Sequence, residues 1–231
     1  MHRHTAPKDP IIPRFGICHP DVETGVSPDA SRHPEVILPR QTHTCNVGII
    51  EADSEPPETI AFDDTDALVC FRRGTAIGVR TADCVPVLLY APDLHAAAAI
   101  HAGWKGSLGG IVDNAVRTLT DRGADPTLME AAMGPCICGD CYEVSPDLAE
   151  RFADAGFGEC LTEGKRTAAG DCASPSLDLP EVNRQRLLRL GVPDEQVAMP
   201  PCCTLENDIF PSWRRTPGTG TRLLTWIRLR P

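Results

Sequence analysis

Arg80–Gly106 reads RTADCVPVLLYAPDLHAAAAIHAGWKG. It presents one cysteine, Cys84, at the tip of the polar turn Thr81-Ala82-Asp83-Cys84, and one histidine, His101, at the end of a small-residue apolar run. Pro86 is expected to mark the exit from the turn, with Val87–Tyr90 apolar beyond it. Periodicity does not separate helix from strand over so few residues. Pro92-Asp93 before Ala96–Ile100 and Gly103 after it bound that run closely, so a strand is expected. Cys84 and His101 lie 17 residues apart, each at a strand end, and adjacent strand ends bring such side chains together.

Working outward, Leu108, Ile111, Val112, Ala115, Val116 and Leu119 fall at i, i+3, i+4, i+7, i+8 and i+11, the stripe of an amphipathic helix. Ser107 is the expected N-cap and Gly123 the expected stop. Gly103–Ser107 then reads as a glycine-rich strand-to-helix loop. Lys105 beside free helix N–H groups would favour an anion; the alternative is a tight connection with a packed Trp104. The Walker pattern is absent. Upstream, Val36–Leu38, Val47–Glu51, Asp66–Cys70 and Ile77–Val79 read as strands, with an acidic loop over 52–65. The tetrad Arg40-Gln41-Thr42-His43 lies between the first two. Downstream, Met129–Met133 and Leu223–Leu229 read as strands. Helices are expected from Ser145 to about Ala155 and from Asp178 to Leu190, each with proline in its first turn and glycine past its end.

Cys136-Ile137-Cys138-Gly139-Asp140-Cys141 holds C-x-C-x-x-C, which resembles part of a zinc or iron–sulfur loop. A closed zinc site needs four ligands, so another would have to come from Cys160, Cys172, Cys202, Cys203 or a histidine. The sequence shows no second knuckle at matching spacing, and the loop reads as metal-free thiols. The tail carries Ser212-Trp213-Arg214-Arg215 and then Arg222. Arginines near a serine in an acidic chain suggest a local anion pocket, since the guanidinium fork matches phosphate; a solvated basic rim is the alternative.

The chain of 231 residues has a formal net charge of −10, which argues against nucleic-acid polymers and anionic membranes as partners. No run approaches the roughly 18 apolar residues of a membrane span. The first ten residues hold no apolar segment of signal-peptide type, so a cytoplasmic location is expected. Eleven cysteines without an export signal are expected to be reduced.

Two chemistries suit Cys84 and His101. Cys84 is a nucleophile whose thiolate His101 stabilises. Alternatively both bind a metal with His43 as third ligand, since two imidazoles and a thiolate with an open fourth position suit catalytic zinc and also hold copper. Spacing does not choose between them.

RQTH at 40–43, TADCVPVLL at 81–89, HAGWKG at 101–106, GPCICGDCYEV at 134–144 and the tail Cys203-Thr204, Ser212–Arg215 and Arg222 occur in one order. Together they resemble the YfiH family, also called the laccase-domain or multicopper polyphenol oxidase family and now the purine nucleoside phosphorylase family. The resemblance covers nearly everything after residue 35. It implies one α+β domain over 1–231, with residues 1–35 partly irregular and a mixed sheet layered between helices (α/β/α), related to the deamidase domain of cytotoxic necrotising toxins. It implies zinc on His43, Cys84 and His101. The implied reaction is phosphorolysis of adenosine, inosine or guanosine to base and ribose 1-phosphate, with methylthioadenosine cleavage and adenosine deamination as associated activities. Nucleoside and phosphate are the expected partners.

The older label implies copper and phenol oxidation. A multicopper oxidase needs several copper sites with many histidines, and seven histidines, five of them outside the shared motifs, are too few. On this reading Cys84, His101 and Asp83 carry the chemistry, Asp83 orienting a ligand or acting as a base. Arg40, Gln41, Lys105, Ser212, Arg214, Arg215 and Arg222 bind substrate and phosphate. Two departures stand out: Thr44-Cys45 follows His43 where the family has glycine, and Thr219-Gly220-Thr221-Arg222 replaces a compact T-G-R. The alternatives are a Cys84/His101 amide hydrolase acting in peptidoglycan precursor editing and a non-enzymatic zinc protein.

Overall fold

The computed structural model describes residues 16–29, 33, 35–55, 60–163 and 174–231. Strands and helices are numbered along the chain. At the centre, β7 (Val85–Ala91) and β8 (Ala96–Ala102) form an antiparallel hairpin, every residue of both buried. Strands covered on both faces read as continuous apolar runs, which is why neither shows alternation in sequence. β9 (Glu130–Met133) pairs antiparallel with β7 and carries β12 (Val197–Ala198) in parallel. On the other side β5 (Ala67–Cys70) pairs antiparallel with β8 and carries β3 (Val47–Ile50) in parallel. The result is a mixed six-stranded sheet, β12-β9-β7-β8-β5-β3.

One face packs under helices. Val85, Val87 and Leu89 of β7 and Ala98, Ile100 and Ala102 of β8 share a core with α2 (Ile111–Thr120), α3 (Pro146–Phe152) and α4 (Leu179–Arg189). The alanines of β8 let α2 and the short α1 (Trp104–Gly109) approach the sheet closely. The other face, with Leu88, Tyr90, Ala97 and Ala99, packs on a second antiparallel sheet. That sheet is β1 (Val22–Ser27), β13 (Leu223–Leu229) and β6 (Ala76–Thr81), in the order β1-β13-β6. Two minor pairs complete the described strands: β2 (Leu38–Pro39) with β4 (Ile60–Ala61), and β10 (Leu161–Thr162) with β11 (Ser176–Leu177).

The α+β class and the mixed sheet are as expected, but the layering is helix–sheet–sheet: a second sheet stands where helices were expected. Residues 1–35 lie partly outside the described residues, and the described part contains β1, whose Thr24-Gly25 centre gave no strand signal. Pro86 does not end the turn before a strand begins; it lies inside β7, opposite His101. Its carbonyl accepts from Gly134 N, on the β9 side and beyond the last β9 pair, so the ladder to β8 loses no N–H there. The amphipathic helix begins at Trp104, not after Ser107, and is broken at Gly110, whose φ of 88° ends α1 and starts α2. Ser107 is therefore buried inside α1, donating to Ala102 O and accepting from the Asn183 amide of α4, and caps nothing. Gly103–Ser107 is a helical turn rather than a loop, and Lys105 projects from it, exposed.

Candidate active site

The β7–β8 register decides the site. Val85 lies opposite Ala102, so Cys84, one residue before β7, arrives beside His101 at the end of β8. Alternation along β8 puts His101 on the same face as Ala97 and Ala99, at the end of the cleft between the two sheets. His43 comes from the segment after β2, in a left-handed conformation (φ 66°). That segment is held by a side chain acting as backbone: Gln41 Nε2 donates to Arg80 O and Gln41 Oε1 accepts from Arg80 N, both at 2.8 Å. The His43 and His101 rings meet edge-on, with centroids 4.8 Å apart. One donor atom from each of His43, Cys84 and His101 lies within 4.8 Å of the others.

Asp66, fully buried at the start of β5, sets the state of His101. Its Oδ1 lies 2.6 Å from His101 Nδ1, and its Oδ2 accepts from Thr42 N, Thr44 N and Thr44 Oγ1. Burial opposes its charge, but these hydrogen bonds outweigh it and hold the carboxyl down at about 2. With Nδ1–H donating to Asp66, Nε2 is free to bind a metal, the usual carboxylate–histidine–metal arrangement. Burial likewise opposes ionisation of Cys84 and His101, yet each stabilises the other's charge. The thiol falls to about 6, helped also by His43, and the imidazolium rises to about 9, helped also by Asp66. Two imidazoles and one thiolate converge as the donor set zinc takes, and the cradle is tight: a Cβ on Gly103 would stand 3.1 Å from Cys84 Sγ and 3.3 Å from His43 Cδ2.

These side chains line a cavity of about 710 Å³, ringed by Arg40, Arg80, Arg214 and Arg222, with Trp104, Tyr142 and Trp213 as aromatic walls. Trp104 also packs on the helix-side core, so it both walls and packs. Asp83, buried with φ 82°, uses its carboxylate to tie loops together. Oδ1 accepts from Thr204 Oγ1, and Oδ2 from Ser212 Oγ and Arg214 N. Ser212 and Arg215 stand behind the cavity lining, the Arg215 guanidinium donating to Thr204 O, Leu205 O and Phe210 O. Lys105 lies outside the lining as well. Gln41 lines it, although its amide is engaged with Arg80. Asp66, Arg80, Tyr142 and Thr204 were not anticipated. The one sequence signal for Asp66 is an acidic residue opening an otherwise apolar strand.

The family described as multi-copper polyphenol oxidoreductase laccase matches residues 27–230, and the chain belongs to it, the YfiH or laccase-domain family. Among curated relatives, an adenosine deaminase from an unknown prokaryote is 36% identical over 199 residues, 84% of this chain and 74% of that protein. A purine nucleoside phosphorylase of Streptomyces coelicolor is 38% identical over 194 residues, 84% of this chain and 75% of its own. Among solved structures, Bacillus licheniformis YfiH superposes with a TM-score of 0.76 at 28% identity, covering 85% of this chain and 74% of that one. YlmD of Geobacillus stearothermophilus gives 0.73 at 27%, covering 86% and 74%.

Proposed function

We propose that this chain is a zinc-dependent purine nucleoside phosphorylase, converting adenosine, inosine or guanosine and phosphate to base and ribose 1-phosphate. The observation that carries the reading is the placement of the His43–Cys84–His101 donor set and four arginines on one cavity with aromatic walls. The names of the relatives support the substrate class. A zinc ion held by these three ligands would supply Lewis acidity at its remaining position. The arginines bind the phosphate. Arg40 also pairs with Asp63, whereas Arg214 and Arg222 donate to backbone carbonyls and keep their full charge for an anion. Phosphate held beside C1′ stabilises the cationic character that develops on the sugar as the base departs. Trp104, Tyr142 and Trp213 offer faces on which a purine stacks. Asp83 keeps Arg214 and the Thr204 loop in place.

The other described histidines, His19, His33 and His95, pack on Tyr90 or Trp226 rather than at this cavity, so the residues present do not suit a multicopper centre. The test is an assay on metal-quantified protein with adenosine and inosine, with and without phosphate, resolving base and sugar products. Phosphate-dependent release of adenine or hypoxanthine, lost in His43→Ala, Cys84→Ala and His101→Ala, is the expected result. Zinc-loaded protein that releases no base would overturn it. Inosine formed from adenosine without phosphate would report the deaminase activity that the name of one relative suggests. The paired thiolate and imidazolium of Cys84 and His101 favour a second reading, amide hydrolysis, which would survive chelation.

A further inference from the structure

The tertiary structure completes the cysteine loop that looked open in sequence. Cys138 precedes and Cys141 ends the 3-10 turn Gly139–Cys141, which brings their thiols together. Cys203 reaches them from the segment after β12, where it bridges to Cys136 and where Thr204 N donates to Cys136 O at 2.9 Å. Glu206 follows Cys203 at the same spacing as Cys141 follows Cys138. The two loops thus present two x₂-spaced pairs, C-x-x-C and C-x-x-E, face to face, with one ligand atom of each of the four residues within 4.8 Å of the others. The matching knuckle was hidden because its second member is a carboxylate. Cys160 and Cys202 are not in the group, and Cys172 lies outside the described residues.

We propose that Cys138, Cys141, Cys203 and Glu206 form a second, structural zinc site. A tetrahedral site with zinc–sulfur bonds of about 2.3 Å and a zinc–oxygen bond of about 2.0 Å sets sulfurs about 3.8 Å apart and the carboxylate oxygen about 3.5 Å from each, so the cluster needs a contraction of about 1.3 Å at most. The thiolate of Cys203 is prepared for a cation: Cys138 N donates to its sulfur at 3.3 Å, and such N–H···S bonds steady ligating sulfurs. All four positions are filled by protein, which makes the site closed, in contrast to the open three-ligand centre at His43. Its place gives it a task. Thr204, next to Cys203, donates to Asp83; Ile137 N donates to Asp83 O; Tyr142, next to Cys141, walls the cavity. A metal clamping the two loops fixes that wall.

The experiment loads reduced, metal-stripped protein with zinc, counts zinc per chain, and repeats the loading with cobalt(II) for its spectrum. Two ions per chain are expected in the wild type. Cys84→Ala should drop to one and keep the intense thiolate-to-cobalt charge-transfer band of a three-thiolate site, whereas Cys141→Ser should drop to one and keep only the weaker band of the single Cys84 thiolate. Cys141 is only partly buried, and Glu206→Gln, at an exposed position, gives a second variant in case the first folds poorly; it should release zinc to a chelator faster than wild type. Alkylation mapped by mass spectrometry should find Cys138, Cys141 and Cys203 protected until a chelator is added. One ion per chain with Cys141→Ser unchanged, or protection lifted by reductant alone as for a Cys138–Cys141 disulfide, would overturn the proposal.

Discussion

Asp66 takes four hydrogen bonds on two oxygens, one from His101 and three from Thr42 and Thr44. Asparagine cannot reproduce this. Its NH₂ must face either the backbone N–H groups of Thr42 and Thr44 or His101, where it would turn the ring to the tautomer that protonates the metal-binding nitrogen. Asp66→Asn is therefore expected to weaken metal binding roughly 10–100-fold. It should also cost about 1–3 kcal/mol of stability. Chelator competition and urea unfolding of the metal-free protein would check the two effects; wild-type values in both would show that Asp66 does not position His101. Cys84 and His101 stood out in sequence because both fall at strand ends, and His43, in a polar segment between strands, joined them as the third ligand that zinc chemistry and the RQTH motif suggested. Asp66 did not, because nothing local ties it to a histidine 35 positions away.

Two glycines of the α1–α2 element separate steric from conformational demand. Gly103 has φ −73° and ψ 171°, open to any residue, so Gly103→Ala leaves the backbone alone but pushes a methyl against Cys84 Sγ and His43 Cδ2. Metal affinity should fall in this variant while the stability of the metal-free protein barely moves. Gly110, at φ 88°, has only ordinary contacts at its Cβ position, so Gly110→Ala strains the backbone by about 1–2 kcal/mol and should leave metal binding unchanged. Metal titration and urea midpoints on the pair measure both, and a reversal of the pattern would contradict the geometry. The apolar stripe of α2 was legible because Ile111, Val112, Ala115, Val116 and Leu119 all face the core. The break was not, since a glycine inside a helical pattern marks a left-handed residue only when the chain has to turn there.

At the scale of the whole molecule, the space between the two sheets is filled by buried apolar side chains. Cys70 and Tyr90 lie in it, both fully buried. Burial pushes the Cys70 thiol up to about 11, and burial with the nearby Asp21 carboxylate pushes the Tyr90 hydroxyl up to about 12. The unfolded chain releases the Cys70 proton near the ordinary thiol pKa, while the folded chain keeps it until about pH 11. Stability is therefore undiminished below the ordinary value and falls as pH rises toward 11, by up to about 3 kcal/mol from this thiol. Urea midpoints at about pH 8 and about pH 10.5 should differ, and Cys70→Val should shrink the difference by roughly 2 kcal/mol. An unchanged difference would mean that Cys70 ionises as readily folded as unfolded.

By itself the sequence determined the elements with one-dimensional signals: the stripe of α2, the capped starts of α3 and α4, the last strand, and the strand-end placement of Cys84 and His101. Its motifs also carried the family. Tertiary structure alone decided that a second sheet covers the far face, because that depends on β1 and β13 meeting across some 200 residues. It alone brought Asp66 to His101, and Cys203 and Glu206 to Cys138 and Cys141. Local propensity acts over a turn or two of chain, whereas these contacts arise from strand register and loop packing, whose partners lie from 35 to some 200 positions apart.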